Sequence, residues 1–391
     1  MPNFSSLLES IPPSATLAVN DKARAMQAAG LDIVVLGGGD PDFDTPAHIV
    51  EAGISAIKAG KTHYPAPAKG TPDLLEAIGR KMRRENGVTV DPGSQIVVTP
   101  GSKWALFIAL AALTNPGDEI IYLEPAWVSY EPMIRLTGGT PVAVPLSWKD
   151  NFAITTDLLN EKITKRTKAL LVNSPCNPTG RVLTADEVSA VTTVALANDI
   201  YVITDEVYEK LIYDGREHRS LAAEPGMSER TLTTNGLSKA YAMTGWRLGW
   251  LAGPAPIIKL AGKMHGQAVT SAATFTMAAA VAALNGPQDI VREMCASYLD
   301  RRDFMVDALN TIPGIDCPSP EGAFYLLPRF TGTGLDSLEL ADALLNQAGI
   351  AATPGIAFGA SAEQHIRFSI ASAQSELEKA VDRLAKIVPS L

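Results

Sequence analysis

Asn235-Gly236-Leu237-Ser238-Lys239-Ala240-Tyr241-Ala242-Met243-Thr244-Gly245-Trp246-Arg247 sets one lysine among small and hydroxylated residues and follows it, eight positions later, with an arginine behind a glycine-flanked aromatic. A partly buried lysine gives up its proton more readily, because a low-dielectric surrounding penalises the ammonium. The free amine can then form an imine with an aldehyde. Arg247 would stand nearby as an anion clamp. An aldehyde that also carries a phosphate suits such a pair, and pyridoxal 5'-phosphate is one, its further usual partner being an acid on the ring nitrogen. A surface lysine at a helix start reads the same in isolation, so the neighbouring segments decide.

Upstream, short apolar runs alternate with helical patterns. Strands are expected at 33–36, 95–99, 119–123, 141–145, 168–172 and 200–204, and helices at 17–29, 46–59, 71–86, 104–114 and 184–198. Strands separated by helices predict βαβ units, hence an α/β architecture with a mainly parallel sheet flanked by helices. Ligands of such sheets bind at the carboxyl ends of the strands. The unusual residues cluster there: Gly101-Ser102-Lys103, Trp127, Asn173 to Asn177, Asp205 and Lys239. At Pro100-Gly101-Ser102-Lys103 a strand, a glycine turn and a helix start follow one another, which makes an anion site of unpaired backbone N–H groups. The spacing of a nucleotide P-loop is absent.

The chain has 391 residues, more than one core usually organises, so two domains are expected. We place a large domain over 48–287 and a smaller α+β domain over 288–391, the latter joined by the N-terminal segment 1–47. A net charge of −9 without basic runs argues against nucleic acid or anionic membrane as partners. The three cysteines form no C-x-x-C pair and the five histidines show no ligand spacing, so neither disulfides nor a metal is expected. No signal-peptide pattern and no run of about 18 apolar residues occurs, which together predict a cytoplasmic protein.

Five segments in order, Gly39-Asp40-Pro41-Asp42-Phe43, Trp127-Val128-Ser129-Tyr130, Asn173-Ser174-Pro175-Cys176-Asn177-Pro178-Thr179-Gly180, Thr204-Asp205-Glu206-Val207-Tyr208-Glu209 and Ser238 to Arg247, resemble the fold-type-I, pyridoxal-phosphate-dependent aminotransferases (class I/II). The likeness is nearest to the bacterial aspartate aminotransferase branch and spans about residues 14–372. It implies that Lys239 binds the cofactor aldehyde and then shuttles a proton, that Asp205 keeps the ring nitrogen protonated, and that Tyr208 and Asn177 donate to the ring's phenolate oxygen. By the same resemblance Gly101, Ser102, Lys103, Arg247 and Ser238 hold the phosphate, and Trp127 stacks on the ring. The resemblance further implies that Tyr64 reaches the phosphate of a neighbouring subunit, in which case the active unit is a homodimer with shared sites.

For substrate, the resemblance implies that Arg367, Gly39 and Asn177 hold the α-carboxylate, with Trp127 against the bound molecule, and that Ser14, Thr16 and Lys103 meet a distal carboxylate. On their own, Asp205 also reads as a helix N-cap, Asn177 as an Asn-Pro turn, Trp127 as core and Arg367 as a surface charge. Pro12 replaces a lysine found in relatives that also accept prephenate, Trp104 a glutamine, Ala126 a tyrosine and Leu237 a phenylalanine. A large ring at 104 argues against strict dicarboxylate selection if it faces the substrate, and is neutral if it faces the protein interior.

The resulting expectation is transamination of L-aspartate with 2-oxoglutarate. The alternatives are an aminotransferase for aromatic or diverse amino acids, a carbon–sulfur lyase on the same fold, and the effector domain of a transcription regulator. The last needs a basic helix-turn-helix ahead of residue 14, for which the sequence has no room.

Overall fold

The structure, a computed structural model, describes residues 4–391. Its central sheet has seven strands: β1 Ile96–Thr99, β2 Glu119–Glu124, β3 Thr140–Pro145, β4 Thr167–Asn173, β5 Tyr201–Asp205, β6 Thr231–Gly236 and β7 Gly249–Ala252. They lie in the order β1-β7-β6-β5-β4-β2-β3. All neighbouring pairs are parallel except those of β7, which runs antiparallel to both β1 and β6. Helices cover both faces, which is why β1, β2 and β4 read as apolar runs rather than alternating ones. Ile96 and Val98 pack towards Pro72–Asn86 and Thr274–Asn285, whereas Val97 packs towards Ser102–Leu113 and Ala255–Ala268.

β6 and β7, with helices Tyr130–Leu136, Ala255–Ala268 and Thr274–Asn285, are not among the elements the pattern predicts. The polar residues Thr233, Thr234 and Asn235 of β6 are all buried and mask the apolar signal of a central strand. Thr274–Asn285 is alanine-rich on every side, so it shows no amphipathic period.

A second core lies around Leu36, Tyr298, Phe324 and Phe368. It is built by helices Asp289–Asn310, Ser337–Ala348 and Gln374–Ile387 and an antiparallel sheet of Tyr325–Leu326, Ile366–Ser369 and Thr353–Pro354. The N-terminal segment enters this core, since Val34–Val35 pairs in parallel with Ile350–Ala351. Among the described residues no helix is long and apolar enough to cross a membrane.

Candidate active site

The carboxyl ends of β4 and β5, the segment after β6 and the start of helix Ser102–Leu113 meet over a cavity of about 350 Å³. Asp205, the last residue of β5, is buried in its wall and accepts the Tyr130 hydroxyl at 2.9 Å and the Val207 N–H at 3.3 Å. Burial pushes its carboxyl up to about 6, with Glu206 acting in the same sense and the Tyr130 hydrogen bond opposing. Lys239 faces the same cavity, donating to the Gly39 carbonyl at 2.5 Å. Burial pulls its ammonium down to about 8, with Arg367 and Arg247 adding to the effect and Asp40 and Asp205 resisting it. The amine is therefore a usable base and nucleophile near neutral pH.

Cations gather at one end. Gly101 takes φ +92°, and a Cβ there would lie 2.6 Å from Arg247 Nη2, so only glycine lets the guanidinium close over this turn. Arg247 Nη1 donates to the Thr244 carbonyl at 2.9 Å. Lys103 stands 5.2 Å above the Trp127 ring, and burial followed by the charge of Arg247 lowers its proton affinity. Two cations facing a common space destabilise each other unless an anion binds between them.

At the other end Arg367 is 1% exposed, held between the rings of Tyr325 and Phe358. It donates to Asn177 Oδ1 at 2.9 Å and to the Gly37 carbonyl at 2.7 Å, and its Nε has no partner among the described residues. Asn177 is held by its own N–H, which donates to Asn173 Oδ1 at 2.7 Å. The Tyr208 hydroxyl pairs with that of Tyr325 at 2.9 Å.

Of the residues singled out in the sequence, Gly39, Ser102, Lys103, Trp127, Asn177, Asp205, Tyr208, Ser238, Lys239, Arg247, Arg367 and Thr16 line this cavity. Gly101 caps the helix start beside it. Ser14 lies instead in an adjoining hollow that also contains Pro12 and shares Lys103 with the cavity. Tyr64 is 79% exposed and lies outside the cavity lining. Trp104 turns away from the substrate side, stacking on Phe107 and donating through Nε1 to His265 Nδ1 at 3.0 Å. Sequence reasoning gave no role to Tyr130, Tyr325, Asp40 or Thr244, all of which line the cavity. Thr244 donates to Asp40 at 2.6 Å, tying the glycine-rich loop to the segment that carries Lys239.

Residues 32–384 match the family described as aminotransferase class I and II. The chain belongs to this family. It is 44% identical over 376 residues to an aspartate aminotransferase of Musicola paradisiaca, covering 96% of this chain and 94% of the relative. To an aspartate/prephenate aminotransferase of Cereibacter sphaeroides it is 42% identical, covering 97% of each. Among solved structures, the aspartate aminotransferase from Thermus thermophilus with maleate superposes with TM-score 0.94 at 41% identity, over 99% of this chain and 100% of that one. An aromatic aminotransferase from Pyrococcus horikoshii superposes with TM-score 0.90 at 40% identity, over 94% and 99%.

These aminotransferases, this chain included, depend on pyridoxal 5'-phosphate. The residues present fit the group: the paired cations Arg247 and Lys103 suit its phosphate, the amine of Lys239 its aldehyde, and the buried Asp205 a cationic ring nitrogen.

Proposed function

We propose that this aminotransferase moves the α-amino group between L-aspartate and 2-oxoglutarate, giving oxaloacetate and L-glutamate by two alternating half-reactions. The observation that carries the reading is a single cavity with a basic amine at Lys239 between two cation-lined ends, one formed by Arg247 and Lys103 and the other by Arg367. The names of several relatives support aspartate as donor.

Bound in the cavity, the coenzyme supplies an aldehyde that accepts the amino group and a protonated ring that draws electrons from the substrate's Cα. The chain's own side chains do the rest. Lys239 would hold the aldehyde and, once freed, its Nζ would take the proton from the substrate's Cα and deliver it to the carbon that had carried the aldehyde. Asp205, kept ionised by the Tyr130 hydrogen bond, balances the charged ring nitrogen. Tyr208 and Asn177 orient the ring oxygen, and the amides of Gly101 and Ser102 with Ser238, Lys103 and Arg247 fix the phosphate. Trp127 covers the ring. Arg367, with its planar fork pre-set by Tyr325 and Phe358, takes the α-carboxylate together with Gly39 and Asn177.

Thr16, whose buried Oγ1 lacks a partner among the described residues, would meet the distal carboxylate with Lys103 and with Ser14 from the adjoining hollow. Trp104 offers no obstacle to a dicarboxylate, because its ring is spent on Phe107 and His265. The proposal includes a homodimer in which an exposed Tyr64 serves the partner's phosphate, a cytoplasmic setting, and the division into 1–47, 48–287 and 288–391, with the core around Phe324 also drawing in Leu36 from the first part and Tyr208 and Tyr213 from the second. Rates with a panel of amino and oxo acids test the substrate: a kcat/KM for aspartate at least about tenfold above phenylalanine, or about 1.4 kcal/mol, is expected. The reverse ranking would refute aspartate and favour an aromatic donor.

A further inference from the structure

Behind the cavity wall lies a second charged cluster with no part in the chemistry described so far. Glu206, next to Asp205 in the chain, is wholly buried and does not line the cavity. Its carboxylate accepts the Ser220 hydroxyl at 2.8 Å and lies 3.3 Å from both Thr204 Oγ1 and Asn86 Nδ2. His218 Nε2 stands 3.1 Å from the same carboxylate, at an angle that makes the contact an ion pair more than a directed hydrogen bond. The His218 side chain is 7% exposed and its Nδ1 has no partner among the described residues. Glu209 completes the group, pairing with Lys81 and accepting from Asn86 at 2.6 Å.

Donor atoms of Glu206, Glu209 and His218 lie within 4.8 Å of one another, a spacing that suits a metal ion. The ammonium of Lys81, 2% exposed and already against Glu209, fills that electrostatic role, so a divalent ion would have to displace a built-in cation. The charged groups facing His218 come from two packed elements: Lys81 on helix Pro72–Asn86, and Glu206 and Glu209 on the turn after β5, while Glu85 on the same helix is taken up by Arg84, Lys210 and Lys81. Tyr241, two residues after Lys239, feels the charges of Glu85 and Glu209. Around His218 itself, Glu206 and Glu209 therefore meet one ammonium, that of Lys81, and a protonated His218 balances them. Burial opposes that charge on the imidazole, but Glu206 and Glu209 outweigh it and hold its proton affinity above the ordinary value, with Lys81 pulling the other way.

We propose that His218 and Glu206 are a positioning pair for transamination: they fix the turn that carries Asp205 and Tyr208, and their opposite charges reach the coenzyme through Asp205. The inference rests on Asp205 facing the ring nitrogen, as proposed above. A turn with Asp205 and Tyr208 on one side and an ion-paired Glu206 and Glu209 on the other cannot shift without breaking buried charge contacts, which is costly. Losing the cation makes the potential at the coenzyme more negative and raises its proton affinity. Losing the anion does the reverse.

The experiment compares holoenzyme of the wild type with His218→Gln, Glu206→Gln, the double variant and His218→Lys. The coenzyme's visible absorption is titrated from about pH 5 to 9, with coenzyme Kd, kcat and KM measured alongside. The titration midpoint is expected to rise by about 0.3 units or more in His218→Gln, to fall by a similar amount in Glu206→Gln, and to return towards wild type in the double variant and in His218→Lys. Midpoints that stay put, or that move the same way in both single variants, mean the cluster only packs the fold and overturn the inference. Should a neutralising variant fail to fold, Lys210→Met replaces it: loss of this cation is expected to raise the midpoint, and an unmoved midpoint counts against the inference. A wild type without any visible band overturns the reading of Lys239 and Asp205, and the inference with it. A normal band with unmoved midpoints overturns the inference alone.

Discussion

Replacing Tyr130 by phenylalanine isolates the contact on which the charge of Asp205 depends. Tyr130 is 3% exposed and its ring packs edge-on against Trp127, so phenylalanine keeps the shape and removes only the hydroxyl that donates to Asp205 at 2.9 Å. A hydrogen bond to a charged acceptor contributes about 1.5–3 kcal/mol, equivalent to about one to two pH units. Burial already lifts the carboxyl to about 6. Without the hydroxyl its midpoint rises to about 7 or above, so that the ionised fraction of the apoenzyme at pH 7 falls from about nine-tenths to half or less. Coenzyme binding, which needs the ionised form, should weaken about two- to tenfold at pH 7, about five- to fiftyfold at pH 6, and hardly at all at pH 9. The assay is equilibrium binding of pyridoxal 5'-phosphate to apoenzyme across that range, with the acid limb of kcat/KM as a second reading. A loss of affinity equal at every pH, or no loss at all, would refute the reasoning, since either result detaches Tyr130 from the ionisation of Asp205.

Arg367→Lys keeps the charge but gives up the flat two-pronged donor, so KM for the amino acid should rise about 100-fold or more with coenzyme absorption unchanged; steady-state kinetics check it, and an unaltered KM would remove Arg367 from the carboxylate site. Gly101→Ala places a Cβ 2.6 Å from Arg247 Nη2 at a positive φ, so coenzyme affinity should fall at least about tenfold while aspartate KM in saturating coenzyme changes little; a binding titration decides. Asp205 also predicts a pH dependence of apoenzyme stability. Its folded value of about 6 lies above the ordinary 3.8, so the stability it contributes is complete below pH 3.8 and lost as pH rises through 6. Relative to Asp205→Asn, the wild-type apoenzyme should therefore lose about 2–3 kcal/mol between pH 4 and 7, seen by thermal unfolding of the pair.

Much of the site was legible because its chemistry is written in short, contiguous runs. Lys239 and Arg247 stand on one segment, Asp205 and Tyr208 on another, and Gly101 to Lys103 sit at a strand-to-helix turn whose amides point outward whatever follows. What escaped is set by contacts between distant segments. Tyr130 meets Asp205 across 75 positions and Tyr325 meets Tyr208 across 117, and neither residue differs in type or local pattern from a core tyrosine. The direction of Trp104 depends on His265, 161 positions away, and so could not be read from helix periodicity. Gly39 presents its carbonyl to Lys239, a contact that no side-chain pattern encodes. The parallel strands β2, β4 and β5 were visible as apolar runs, whereas β6 was hidden because its buried Thr233, Thr234 and Asn235 break the apolar run; Thr234 bonds its hydroxyl to the Thr204 carbonyl, while that of Thr233 has no partner among the described residues. The His218 cluster stayed silent for the same reason, since a histidine with no sequence-near ligand signals nothing until folding brings it to Glu206.

The most direct test of the central claim, that the amine of Lys239 holds the coenzyme against Asp205, is the absorption spectrum of the purified, coenzyme-loaded protein before and after L-aspartate is added without any oxo acid. A visible band that gives way to the near-ultraviolet absorption of the aminated coenzyme, and that is absent from Lys239→Ala, is the predicted result. A protein that stays colourless with pyridoxal 5'-phosphate, or a Lys239→Ala variant that transaminates at the wild-type rate, would contradict it.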